Sequence, residues 1–413
     1  MTADLLATTV RPYAWGSTTA LAELTGRPPT GGPEAELWMG AHPGAPSRID
    51  RGDGAEPLDA VIARDPATEL GPRVTGRFGP QLPFLLKVLA AEHALSVQVH
   101  PTLAQAAAGY AAEDAAGTPL DAPHRIYRDR NHKPELICAL GEFDALCGFR
   151  DPRATAELWQ RLDLPVLAPW IDTLRTAPAD TALRTVLTGA LAEDRARGEQ
   201  AAAELPAAMR KLATGGDPDA ASWAAYLAAA RDYPGDPGLL AAMLLNHVHL
   251  GAGQALYLDA GVPHAYLRGL GVEIMANSDN VLRCGLTPKH VDTAALAEVV
   301  DFRPTAPHHT PAVPAGSGEL EFLTPAEEFT LSRIELGDPA GTDARSDVRL
   351  DARFGVRIDD DGPQLLLCVR GTAHLDDGPA IGPGECAYVP AASGPLRLAG
   401  DATVFRARVP RAR

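Results

Sequence analysis

Cysteine, positive charge and long apolar runs are all scarce in this 413-residue chain, and each shortage excludes something. The five cysteines, Cys138, Cys147, Cys284, Cys368 and Cys386, contain no Cys-x-x-Cys pair. A set this sparse and odd-numbered reads as free buried thiols, which sets aside a disulfide framework and a zinc-thiolate site. Lys and Arg number 37 against 53 Asp and Glu, giving a formal charge of −16 and a pI near 5.2. That balance opposes non-specific binding to nucleic acid or to an anionic membrane, so an anionic ligand must meet a locally basic pocket. No apolar run reaches the roughly 18 residues of a membrane span. Met1-Thr2-Ala3-Asp4 carries no basic leader, and a cytoplasmic location is expected.

What is present is ordinary for a soluble globular protein, with 46% hydrophobic and 22% charged residues. The length predicts two or three domains. Strand and turn character dominates the first part, where Phe84-Leu85-Leu86-Lys87-Val88-Leu89 reads as a buried strand interrupted by one lysine. Lys87 either reaches outward or faces a polar site and an anion, because a buried ammonium without a partner is costly. From Asp151 the sequence becomes Ala-rich with helical spacing, as at Ala154, Leu158 and Leu162. Asp151-Pro152, Asp217-Pro218 and Asp236-Pro237 have the chemistry of helix starts, an N-cap followed by an N1 proline.

Strand character returns near Leu244. The stretch Gly251-Ala252-Gly253-Gln254-Ala255-Leu256-Tyr257-Leu258 is matched later by Gly382-Pro383-Gly384-Glu385-Cys386-Ala387-Tyr388-Val389, which suggests two copies of one all-β unit. In that register His264 falls opposite Pro395, so one metal site is expected rather than two. Between the copies, 303–318 is too rich in proline and glycine for regular structure and reads as a linker, with His308 and His309 solvated.

Three distant segments together hold a set of metal ligands: Gln98-Val99-His100-Pro101, Asn131-His132-Lys133-Pro134-Glu135 and Pro263-His264-Ala265-Tyr266. Val97 and Val99 alternate with polar residues, which puts Gln98 and His100 on one strand face. Imidazole and carboxylate suit Zn²⁺, whereas Gln98 is a weaker, neutral donor. With Glu135 as the only anionic ligand, the bound ion keeps net positive charge. A lone histidine on an apolar strand is more often a hydrogen-bonded core residue. His247-Val248-His249 has similar spacing without an adjacent carboxylate, and is the weaker candidate.

These motifs, with Tyr13-Ala14-Trp15-Gly16-Ser17, Glu36-Leu37-Trp38-Met39-Gly40 and the run from Asn277 to Asp292, closely resemble the type I phosphomannose isomerases, zinc enzymes of the cupin superfamily. The resemblance spans essentially the whole chain. It implies a mainly β fold: two cupin-type β-barrels, catalytic and C-terminal, plus an α-helical domain. The catalytic barrel would comprise 1–150 and 246–302, the helical insertion 151–245, the linker 303–318, and a C-terminal cupin without metal 319–413. Gln98, His100, Glu135 and His264 are the implied ligands of one Zn²⁺ per chain. The implied reaction interconverts mannose 6-phosphate and fructose 6-phosphate through a cis-enediol, acting on a small sugar phosphate. A monomer is expected. Arg283 would stabilise the enediolate. Lys133 and His132 are both possible proton carriers, and sequence does not choose between them. Asp279 lies four residues from Arg283, and either a helical turn or a tight loop could bring them together. Ser96, Lys87, Arg283 and Lys289 are the phosphate-binding candidates. Two histidines and a carboxylate are also the triad of Fe(II) dioxygenases, and a non-catalytic sugar-phosphate-binding module is the other alternative.

Overall fold

The computed structural model describes residues 3–289, 291–306, 308–316, 318–337, 355–376 and 378–411. Pro307 and Ser317 of the expected linker, His290, and 338–354, 377 and 412–413 of the expected C-terminal domain lie outside the described residues. Helix and strand take nearly equal shares, about 32% and 31%, so the fold is mixed rather than mainly β. The helices from Pro152–Gln160 to Gly238–Met243 account for much of that difference.

One strand, His264–Ala276, organises the metal-motif region. Its first half pairs with Phe143–Phe149 and Val97–Val99, and its second half with Phe84–Ala91 and Glu135–Ala139. The switch falls at Gly269, whose φ of +135° favours glycine and where a Cβ would stand 2.5 Å from Phe143 Cδ2. Fully extended, the strand would separate His264 from Met275 by about 35 Å. Yet Glu135, the register partner of Met275, has its Oε2 only 3.4 Å from His264 Nε2. The strand therefore folds over and builds two facing layers, which form no closed barrel among the described residues.

Alternation along the strands decides what each face meets. Leu86, Val88, Leu136 and Ile274 point out of the first layer and join a core with Leu331, Leu365 and Tyr388 of the C-terminal sheet. Val97, Val99, Ala265 and Leu282 point out of the second layer against Trp159, Trp223 and Tyr226 of the helices. The intervening positions face inward, between the layers.

Among the described residues the C-terminal sheet has nine strands and takes in Asp4–Leu5, which pairs with Cys386–Val389. Its edge is Ala312–Gly316, a strand inside the stretch expected to be irregular. Pro314 is tolerated there because an edge strand has one unpaired side. His308 and His309 are exposed, as expected.

The Asp-Pro pairs behave differently. Asp151 caps the Pro152–Gln160 helix, accepting from the Arg153 and Ala154 amides, and the Asp236 carboxylate accepts from the Gly238 amide at 2.7 Å. Asp217 instead receives Arg161 and the Trp223 indole, and the following helix starts after Asp219.

Candidate metal centre

Gln98 faces His264 across one strand pair and Arg283 across the other, so three motif residues stand side by side. His100 follows directly after the Val97–Val99 strand, and Glu135 opens the strand Glu135–Ala139 in the opposite layer. His100, Glu135 and His264 are all buried, with ligand atoms within 4.8 Å of one another.

Backbone carbonyls orient both rings. His100 Nδ1 lies 2.8 Å from the Asn280 oxygen, and His264 Nδ1 lies 2.9 Å from the Val262 oxygen. Each ring thereby turns Nε2 toward Glu135, at 3.5 and 3.4 Å. Such an outer carbonyl is the usual device for fixing the tautomer of a metal-binding histidine. The buried His100 Nε2 makes no hydrogen bond, an uncommon state for a buried polar atom. Burial and the Lys133 ammonium push His100 down to about 4, which leaves a free lone pair at neutral pH. Burial would raise the Glu135 carboxyl, but Lys133 and His100 hold it well below its ordinary range. Two imidazoles and one carboxylate fit a divalent ion.

His247 and His249 do have carboxylate neighbours in space. His247 Nε2 is 2.8 Å from Asp144, and His249 is 3.1 Å from Asp144 and 2.6 Å from Glu142. His247 Nδ1 meets Ser222 Oγ, so these ring nitrogens are already occupied. Among the described residues, only His100, Glu135 and His264 form a metal-type group.

The remaining candidates are only partly brought together. Lys133 Nζ is 2.8 Å from Glu135 Oε1. Gln98 donates to Ser96 Oγ at 3.2 Å. Lys87 faces the polar interior, but the anions it meets are the protein's own, Glu273 at 3.0 Å and Glu36 at 3.5 Å. Two carboxylates satisfy its charge, which removes the reason to assign it to phosphate. Asp279 does not meet Arg283; its Oδ1 lies 3.7 Å from His42 Nε2. His132 Nε2 is 2.8 Å from Glu328 Oε1.

Arg283 is half-buried and Lys289 exposed. Burial and Arg128 lower Arg283, while Arg283, burial and Arg128 lower Lys289. None of these three cations forms a salt bridge with a described residue, which is notable in so acidic a chain. Asn280 holds the loop that carries Arg128, accepting its amide at 2.7 Å.

Several of these residues escaped the sequence reading. Glu273 had a legible signal: it is the lone charge in the apolar run Val272-Glu273-Ile274 and stands directly opposite Lys87. His42 is buried, and its Nδ1 accepts the Gly44 amide at 3.1 Å. Asn280 lies in the matched run from Asn277 to Asp292, though its contacts to Arg128 and His100 were not foreseen, and Glu328 gave no signal at all.

Fold and site together define a protein of mixed helix and sheet with a place for one divalent metal ion. The family model for the type I phosphomannose isomerase catalytic domain matches residues 5–152. Mannose-6-phosphate isomerase of Escherichia coli is 39% identical over 97% of this chain and 98% of its own, and that of Rattus norvegicus is 32% identical over 97% and 92%. The crystal structure of the Salmonella typhimurium mannose 6-phosphate isomerase bound to substrate and zinc superposes with a TM-score of 0.87 at 36% identity, covering all of both chains. The chain belongs to the type I phosphomannose isomerase family.

Proposed function

We propose that this chain interconverts mannose 6-phosphate and fructose 6-phosphate with one zinc ion held by His100, Glu135, His264 and Gln98. The observation that carries the reading is the convergence of two carbonyl-oriented imidazoles on a buried carboxylate. Relatives named for this reaction, at 39% identity over nearly the full length, support it. Bound zinc supplies a Lewis acid beside the substrate oxygens. No specific observation favours an Fe(II) dioxygenase or a binding-only module.

The reaction moves the C2 proton of the aldose to C1 and shifts the hydroxyl proton between the two oxygens. It needs a proton carrier, and positive charge beside the enediolate oxygen. Arg283, next to Gln98 in register, supplies the fixed charge. Lys133 and His132 handle the protons, with Asp279 at the rim beside His42. The unpaired cations Arg283, Lys289 and Arg128 take the phosphate dianion together with Ser96, and Lys87 drops out of that set.

In domain terms, 1–150 and 246–302 form the catalytic unit, 151–245 the helical unit, 303–318 the connection and 319–413 a cupin-like unit without metal. Two cupin-type units are the finer form of this fold, and a cytoplasmic monomer is the working assembly. The test is turnover of mannose 6-phosphate before and after chelation, with zinc added back. Activity that survives complete zinc removal contradicts the proposal.

A further inference from the structure

Glu328 belongs to none of the sequence motifs. It lies in the turn between Glu319–Phe322 and Thr330–Leu336 of the C-terminal sheet, yet it meets His132 from 196 positions away. The contact is short, 2.8 Å, and the two side chains are only 25% and 15% exposed. Glu328 is itself fixed, because its Oε2 accepts the Glu327 amide at 3.2 Å. His132 Nδ1 has no hydrogen-bond partner among the described residues. Three residues further along the chain is Glu135, at the centre of the metal group.

We infer that Glu328 is a positioning residue for His132. By holding Nε2 it leaves Nδ1 as the nitrogen that exchanges a proton with the bound sugar phosphate, so the C-terminal sheet completes the active site. This rests on the isomerase reading. In the donating direction, the Nδ1 proton passes to a substrate oxygen and a neutral ring remains, with Nε2–H still on Glu328. In the accepting direction the same proton returns to Nδ1. The logic is that of a carboxylate that orients an imidazole without itself taking the proton.

Charge supports the geometry. The Glu328 hydrogen bond raises His132 above its ordinary value against the effect of burial, with Asp259 and Glu327 adding to the pull. Glu327 is in turn paired with Arg77. His132 therefore keeps its proton further up the pH scale than a free imidazole and acts first as a donor.

The test compares the full-length, zinc-loaded wild type with Glu328→Gln and Glu328→Asp, measuring kcat and KM for mannose 6-phosphate across pH together with zinc content. Glu328→Gln is expected to lower kcat by about ten- to a hundredfold, with KM changed by less than about twofold and zinc retained. Its alkaline limb should move to lower pH, because His132 loses the acceptor that favours its charged form. Glu328→Asp should recover part of the rate. Wild-type kcat and pH profile in Glu328→Gln overturn the inference alone. So does a rate loss matched by zinc loss and not relieved by Asp, which would make the contact a packing element. A wild type without turnover sinks the isomerase reading, and this inference with it.

Discussion

Gly251-Ala252-Gly253-Gln254 and Gly382-Pro383-Gly384-Glu385 fold into the same turn. In each, the amide of the first glycine donates at 2.8 Å to the side chain of the fourth residue. Each turn feeds a four-residue strand and then, further on, a strand of thirteen residues, His264–Ala276 or Leu396–Arg408. The bends correspond as well: Gly269 and Gly400 have φ of +135° and +130°. The inward side chains differ. Glu135 pairs with Leu258 and meets two histidines, whereas its counterpart Gln364 pairs with Val389 and accepts Arg406 Nε at 2.7 Å. Arg406 also reaches Glu319 and Asp360, and Pro395 stands where His264 would. The shared backbone needs only the turn and the bend. Whether a metal ion or a guanidinium fills the interior is decided by a few inward residues.

Breaking the metal side of this comparison should give the largest effect. Glu135→Ala or His264→Ala is expected to remove zinc and to cut turnover by at least about a thousandfold, read by elemental analysis and steady-state assay. Gln364→Ala in the other unit should lower the melting temperature, because it leaves buried Arg406 short of a partner, while zinc per folded chain stays unchanged. Equal zinc loss in both would erase the difference between the two units. Next in size, Arg283→Ala should keep zinc and reduce kcat/KM by about a hundred- to a thousandfold.

Smaller effects sharpen the correspondence of the bends. A Cβ at Gly269 would sit 2.8 Å from the Glu142 oxygen, and one at Gly400 2.2 Å from the Thr372 oxygen. Either alanine variant should lose about 1–3 kcal/mol of stability, measured by denaturant unfolding. Only Gly269→Ala should also weaken zinc in a competition titration. The melting shift on chelation falls in the same range: a site at a hundredfold excess of free zinc over Kd contributes about 2.7 kcal/mol. Gln364→Ala should show this shift in full, and Glu135→Ala should show none.

The sequence carried the local chemistry well and the long-range contacts poorly. Alternation at Val97, Gln98 and Val99 is enough to aim Gln98 inward, and the paired glycines mark two turns that close with the same hydrogen bond. Lys87 advertised a buried counter-charge, but finding it required noticing that Glu273 interrupts another apolar strand. Proline and glycine content hid the strand at Ala312–Gly316, because an edge tolerates what a central strand does not. Spacing misled for Asp279 and Arg283: the chain enters the Leu282–Gly285 strand between them and sends their side chains to different neighbours. Glu328 left no local trace, since nothing near it in sequence needs a carboxylate.

A single uninterrupted backbone, His264–Ala276, runs through both walls around the metal residues, so those walls cannot swing apart on a flexible connector as hinged domains do. The ligand geometry is set when the chain folds rather than when substrate arrives. Arg128, Asp279 and Lys289, by contrast, lie outside helices and strands, on backbone that no such continuous strand ties down.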